Sequence, residues 1–366
     1  VPASINNLDK KYKIDLRLKG DRLIHFFEKK RISYKIELDK GETIFGLNKF
    51  SLMKPRARNY VHEWIYHQLM QEGGLISLKY NFIKLKINGE SQGLYVIEEG
   101  FDKILIERNK KRNGPIFSIN EEWNVIQNDK NKKGIKFEVY NKKNWLSKKN
   151  RQLTLKAHNI LEDFIKGKLN SDEVFDMEKW AWFFAASDLN YYSHGLQIKS
   201  VKFYFNPINA KFEPVPFDGH RRDVDFNENI VLWKKDGNFR YSAPSFNIAT
   251  LCRENPKNCL NLLPYQFFFK SNGELNQNFY NEYKKNINKI TSKKFLDNFF
   301  NKRKKKISDI NSKIYADYFY VDNVSFYGPG LYFFEEKEFY KRGSRLKLKL
   351  SEKPENLIIT QSKNRI

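Results

Sequence analysis

The stretch YNFIKLKINGESQGLYVIEEGFDK, Tyr80 to Lys103, reads as a β-hairpin that ends in two consecutive carboxylates, Glu98 and Glu99. Phe82, Leu85 and Ile87 alternate loosely with polar neighbours, Asn88-Gly89 supplies positive-φ turn chemistry, and Leu94, Val96 and Ile97 form the return strand. Gly100 breaks that strand, and Phe101 to Glu107 has helical spacing. The glutamates therefore stand at a strand-to-helix hinge, where ligand-binding groups are commonly presented. A hinge after a buried hairpin points to a nucleotide cleft.

Working outward, Tyr12 to Leu18, Ile32 to Leu38 and Thr43 to Met53 alternate as strands between Gly and Asp breakers. Pro55 closes the last of them. From Arg56 to Glu72 the positions Val61, Trp64, Ile65 and Leu69 follow helical spacing, with Gly73-Gly74 as the stop. Glu63 points away from that stripe, on a second face shared with Tyr66 and Met70, as expected if that face looks into a cleft. Residues 1–120 thus read as a β-rich lobe with one inserted helix, and the Lys- and Asn-rich 121–150 as an insertion or linker. Residues 151–319 read as mainly helical: Leu153 to Leu169 is amphipathic, Val174 to Ser187 is apolar enough for burial, and Phe279 to Ile290 and Phe295 to Tyr315 are long and basic. A second hairpin, Val201 to Asn206 and Lys211 to Val215, ends at Phe217-Asp218-Gly219. Beyond residue 319, LYFF, RLKLKL and LIIT alternate like strands, so 320–366 is expected to form a small β-rich extension.

The 366 residues, with 31 Phe, suffice for a sizeable core. A formal charge of +24 favours anionic substrates. It does not by itself indicate nucleic acid, because the basic residues are scattered among acids and Lys302 to Lys306 reads as a solvated helix face. No run approaches the ~20 apolar residues that span a bilayer. Cys252 and Cys259 flank RENPKN, a spacing compatible with a small disulfide loop or with two thiols, and zinc lacks a nearby His or further Cys.

Phosphoryl transfer needs a cation for phosphates, an acid to hold it, a hinge for the base, a metal-binding carboxylate and a proton acceptor. Lys49 in a strand, Glu63 on the next helix, the Glu98-Glu99 hinge, Asp188 at the end of a buried helix and Asp218 after a hairpin follow the protein-kinase order, without GxGxxG, HRD or DFG. Arg17 and Lys19, ahead of Gly20-Asp21, read either as a basic cover for phosphates or as a surface turn. RLKGD (17–21), KRISYKIEL (30–38), EWIYHQL (63–69), INGESQGLYVIEEGFDK (87–103) and KFYFNPINAKFEPVPFDG (202–219) resemble the CotH kinase family of atypical protein kinases. The resemblance covers roughly Lys11 to Asp225, and GLYVIEE is its most specific motif.

That resemblance implies an α+β, divergent two-lobed protein-kinase-like fold, with a β-rich N-lobe and a mainly helical C-lobe. It further implies ATP with Mg²⁺ or Mn²⁺ as cofactors and a protein Ser or Thr hydroxyl as acceptor, on an acidic or surface protein. Asp218 matches the family's metal-binding acid, although Phe217 stands in place of Trp and His220 in place of a second Asp. Ser200 stands where the family carries an Asn as second metal ligand. The catalytic base is Asp188 or His194, both able to accept a proton near neutral pH. His220, Arg221 and Arg222 read as substrate-phosphate contacts or as an exposed turn, and Asp223 and Asp225 as loop acids or as the replacement for the second Asp. Two other function classes stay open: a kinase-shaped nucleotide-binding scaffold, and a surface module for an anionic polymer. Since the chain starts on Val, a preceding segment is expected, with an extracytoplasmic or bacterial cell-surface setting rather than a cytoplasmic one.

Overall fold

The Asn88-Gly89 turn closes its hairpin as the sequence predicts, both residues at positive φ (52° and 84°), joining β5 (Tyr80–Ile87) to β6 (Glu90–Glu99). In the computed structural model the described residues are 1–20, 25–26, 31–119, 136–192, 194–196, 198, 200–219, 263, 265–268, 270, 275–317 and 333–351. The hairpin belongs to a six-stranded antiparallel sheet with β1 (Pro2–Asn7), β2 (Lys10–Leu18), β3 (Tyr34–Leu38) and β4 (Lys49–Met53), in the order β1-β2-β3-β4-β6-β5. One face buries Ile14, Ile36, Phe50, Leu52, Tyr95 and Ile97 together. On the other, Tyr80, Leu94 and Val96 meet the stripe Val61, Ile65 and Leu69, which fixes α1 (His62–Glu72) against the sheet.

α1 ends at Gly73, and the close approach there demands glycine: a Cβ would run into the indole of Trp182. Trp182 in turn donates from Nε1 to the Leu69 carbonyl at 3.0 Å. Thus α1 is tied to the buried helix of the second half. That half contains α2 (Lys103–Arg108), α3 (Arg151–Ile165), α4 (Met177–Asn190), α5 (Gln277–Ile290), α6 (Lys293–Asn301) and α7 (Lys304–Asp317). A second antiparallel sheet, β10-β9-β7-β8, comprises β7 (Ile116–Ile119), β8 (Phe137–Val139), β9 (Lys202–Asn206) and β10 (Lys211–Val215). It packs on α4 through aromatics: Trp180 stacks on Phe203 and Phe267 at centroid distances of 5.7 and 4.7 Å. Burying such a ring contributes about 3 kcal/mol from apolar area alone. The molecule is an α+β protein.

Several expectations are corrected. The insertion read over 121–150 is partly built into the core, since β8 pairs with β7 and Trp145 is buried; 120–135 lie outside the described residues. The segment RLKLKL is helical, not a strand, and lies within α8 (Lys337–Ser351). Leu346 and Leu350 are two steps of alternation apart and also one helical turn apart. With Phe339 and Arg342 they form the buried stripe, whereas Leu348 is 65% exposed. The single helix expected over Phe295 to Tyr315 is two, α6 and α7, with Lys302, Lys304, Lys305 and Lys306 exposed as the solvated-face reading requires. Cys252, Cys259, His220, Arg221, Arg222, Asp223, Asp225 and LIIT lie outside the described residues. Among those described, no helix is long and apolar enough to cross a membrane.

Candidate active site

A cleft of about 730 Å³ opens between the ends of β2, β3, β4 and β6 on one side and the turn after β10 on the other. Its floor is a chain of charges, buried at Lys19, Glu98 and Arg58 and half-buried at Asp218. Lys19, just past β2, donates to Glu98 Oε2 of β6, and Arg58 Nε lies 3.6 Å from Glu98 Oε1. Arg58 Nη1 then reaches Asp218 Oδ1 at 2.7 Å. Arg58 is aimed inward because the single helical turn Pro55–Arg58 stops at Asn59 and Tyr60, which both take left-handed backbone (φ 54° and 57°). Burial pulls the Lys19 ammonium down to about 8, with the Arg58 charge adding to the effect against Glu98. Burial works against ionisation of Glu98 as well, but Lys19 and Arg58 outweigh it and hold the carboxyl below its ordinary value. Lys19 and Glu98 are therefore both charged at neutral pH. Arg58 resists deprotonation too: burial opposes its charge, and Asp218, Glu98 and Glu63 overcome that opposition.

Asp218 sits at φ +56°, a strained setting for an aspartate, held by contacts on both sides. His194 Nδ1 lies 3.0 Å from its carbonyl oxygen and 3.5 Å from its Oδ2, and Ser200 Oγ lies 3.3 Å from the same ring nitrogen. Behind the turn, the Gly219 N–H donates to Glu63 Oε1 at 3.3 Å, and a Cβ on Gly219 would stand 2.6 Å from the Tyr66 ring. Beside the charges the cleft is lined by aromatic rings. Phe101, beside the Gly100 hinge, meets Tyr140 at 4.7 Å and Phe217 at 5.2 Å.

Of the residues singled out from sequence, Arg17, Lys19, Lys49, Glu98, Glu99, His194, Ser200 and Asp218 line this cleft. Two pairings come out differently. Lys49 and Glu63 do not meet: Lys49 bonds Glu37 at 2.6 Å, its neighbour across β3 and β4, while Glu63 is fully buried against Gly219 and His67. The buried lysine–glutamate pair of the cleft is Lys19 with Glu98. Glu98 and Glu99 part company because successive strand residues face opposite ways. Glu99 accepts from Arg108 and, at 2.7 Å, from the Lys79 N–H, tying the hairpin to α2.

Asp188 does not join the other residues singled out from sequence in this cleft. It is fully buried in the last turn of α4, takes a hydrogen bond from Tyr283 at 2.5 Å, and is not part of the cleft lining. Sequence reasoning missed Arg58 and Lys202. Nothing in Pro55-Arg56-Ala57-Arg58 separates the two arginines, but a lysine inside the apolar run VKFYF is a readable signal.

Geometry thus defines an α+β protein whose cleft has a floor of paired charges, one turn-borne aspartate and a lining of aromatic rings. A family model described as CotH kinase protein matches residues 16–325, and the chain belongs to that family. The family relation suggests a kinase-like phosphotransferase function. No match was found among curated proteins.

Proposed function

We propose that this protein transfers the γ-phosphoryl group of ATP to a Ser or Thr hydroxyl of a protein, with Mg²⁺ or Mn²⁺, through a divergent two-lobed kinase-like fold. The observation that carries the reading is the ion-pair chain Lys19–Glu98–Arg58–Asp218 on the cleft floor, buried as far as Arg58 and half-buried at Asp218. A base would lie against Phe101 and Tyr140 at the hinge, leaving the phosphates over Lys19 and Arg58 beside Phe217. Among the described residues no three His, Cys, Asp or Glu side chains converge as a metal cage. The donor set instead fits a small hard cation held by Asp218 with the Ser200 hydroxyl, since Mg²⁺ commonly takes one carboxylate and completes its shell with substrate phosphates and water. When bound, such an ion would neutralise phosphate charge.

In the transfer, the acceptor oxygen bonds the γ-phosphorus as the bond to the β,γ-bridging oxygen breaks, ADP leaves, and the hydroxyl proton passes to a base. His194 stands beside Asp218 and Ser200 and is the candidate for that proton, in place of Asp188. The excess of basic residues favours an acidic acceptor. Full-length protein incubated with γ-labelled ATP, Mn²⁺ and an acidic protein should move label to itself or to that protein. Asp218→Ala should lower transfer by about a thousand-fold or more, the scale expected when a group that stabilises transition-state charge is removed. Transfer by that variant at the wild-type rate would overturn the assignment. A second reading, a nucleotide-binding scaffold, is favoured by the Arg58–Asp218 bond and by a hydroxyl at position 200. It predicts a thermal shift with ATP and no label transfer.

A further inference from the structure

A second cavity, of about 800 Å³, adjoins the cleft and shares Phe101, Tyr140 and Asn141 with it. The shared Phe101 ring lies 5.2 Å from that of Phe217, the residue before Asp218, so a chain lying in this groove runs toward the proposed transfer site. Two loops rim the groove, and packing pins both. After α2 the backbone turns through Lys110 at φ +58°, the Tyr204 hydroxyl donates to the Arg112 carbonyl, and a Cβ on Gly114 would stand 2.3 Å from the Phe205 carbonyl. On the other loop Asn150 Nδ2 donates to the Asn144 carbonyl at 3.1 Å, and Thr154 Oγ1 to the carbonyl of buried Trp145 at 2.8 Å. Most charges of the lining are matched within the chain. Asp102 caps α2 by accepting from the Leu105 N–H, Glu107 pairs with Lys103 at 3.3 Å, and Lys111 pairs with Glu213 at 2.7 Å. That leaves Arg112 on one loop and Lys149 on the other, both exposed and neither side chain bonded to a carboxylate among the described residues.

We propose that this groove docks an acidic segment of the acceptor protein, whose carboxylates meet Arg112 and Lys149 while its Ser or Thr hydroxyl is carried past Phe101 toward Asp218. The inference rests on the transfer reading above and adds where the acceptor binds and which side chains select it. Cations on two separate loops suit an extended chain with several carboxylates better than one compact anion, and the Asn113 and Asn141 amides of the lining can bond its backbone. Because both cations stand in water, they act on the choice of partner and on its encounter rate, and salt weakens them.

Fluorescence anisotropy of the full chain is read with three labelled peptides that share one serine, flanked by Glu, by Gln or by Lys. The Glu peptide is expected to bind about ten-fold tighter than the Gln peptide at low salt and to lose most of that margin at high salt. The double variant Arg112→Glu with Lys149→Glu should bind the Glu peptide about ten-fold more weakly, prefer the Lys peptide, and melt like wild type, since both side chains are exposed. In the label-transfer assay it should raise KM for the Glu peptide about ten-fold while KM for ATP moves less than about two-fold. Equal wild-type affinity for the Glu and Gln peptides, tighter binding of the Lys peptide, or wild-type affinity of the double variant for the Glu peptide would each overturn the docking site. Binding of inorganic polyphosphate but of none of the peptides would overturn it in favour of an anionic polymer. Label transfer to the Glu and Gln peptides with equal KM sinks the docking site and leaves phosphoryl transfer standing, whereas selective docking of the Glu peptide without label transfer does the reverse. If the double variant fails to melt cooperatively, Arg112→Gln and Lys149→Gln decide, each expected to weaken the Glu peptide about three-fold.

Discussion

Asp188 and Asp218 each stand at the end of a regular element, yet one closes into the helical interior and the other onto the cleft. Asp188 occupies the last turn of α4, where Tyr283 donates to its carboxylate and Arg342 donates to its carbonyl at 2.9 Å. Asp218 occupies a turn at positive φ, with Arg58, His194 and the Gly219–Glu63 bond around it. The first arrangement is closed, its polar atoms answered by neighbours that serve packing. The second is open on one side and crowded with charge, the kind of setting on which the proposed ligand site rests. Burial alone therefore does not tell the two aspartates apart; what faces each carboxylate does.

The contrast can be broken most forcefully at the cleft floor. Lys19→Met leaves Glu98 buried with only Arg58 at 3.6 Å to answer it, and should cost about 3–5 kcal/mol in chemical denaturation. A loss under about 1 kcal/mol would mean that the floor is far wetter than its burial implies. Acid gives the next largest effect. His25 is pulled down to about 4, first by burial and then by the charges of Arg58 and Lys19, from an ordinary value of 6.5. Because the unfolded chain takes up that proton first, the stability contributed by neutral His25 is complete above pH 6.5 and is lost as pH falls toward 4. Lowering pH from about 7 to about 5 should cost wild-type protein on the order of 2 kcal/mol more than it costs His25→Gln. Equal losses in the two proteins would place His25 in water. The smallest effect belongs to the helical core: Tyr283→Phe should cost about 1–2 kcal/mol by leaving Asp188 short of a donor, while label transfer at 25 °C stays near wild type. A selective loss of transfer in that variant would return Asp188 to the chemistry.

Local chemistry made much of the scaffold legible. Asn88-Gly89 demanded a turn, the second hairpin followed from two short runs flanking Pro207-Ile208-Asn209-Ala210, and Val61, Ile65 and Leu69 laid out the buried stripe of α1. Asp218 and Lys19 were readable because each sits beside a strand end and a glycine. Other features were hidden for identifiable reasons. Leu346 and Leu350 satisfy a period of two and a turn of helix equally, so α8 could not be told from a strand. Lys49 had two glutamates to choose from, Glu37 and Glu63, and the register of β3 on β4 chose the nearer.

From its own residues the chain determined which segments turn, which faces are apolar, and that strand ends would carry charge, because φ preference and hydrophobic spacing act over a few positions. Only tertiary structure decided that Lys19 would meet Glu98, that Arg58 would meet Asp218, and that Lys202 would come to lie over Phe217. Those partners are separated by 15 to 160 residues. Coulomb attraction depends on distance in space, and that distance exists only once both sheets and α4 have packed.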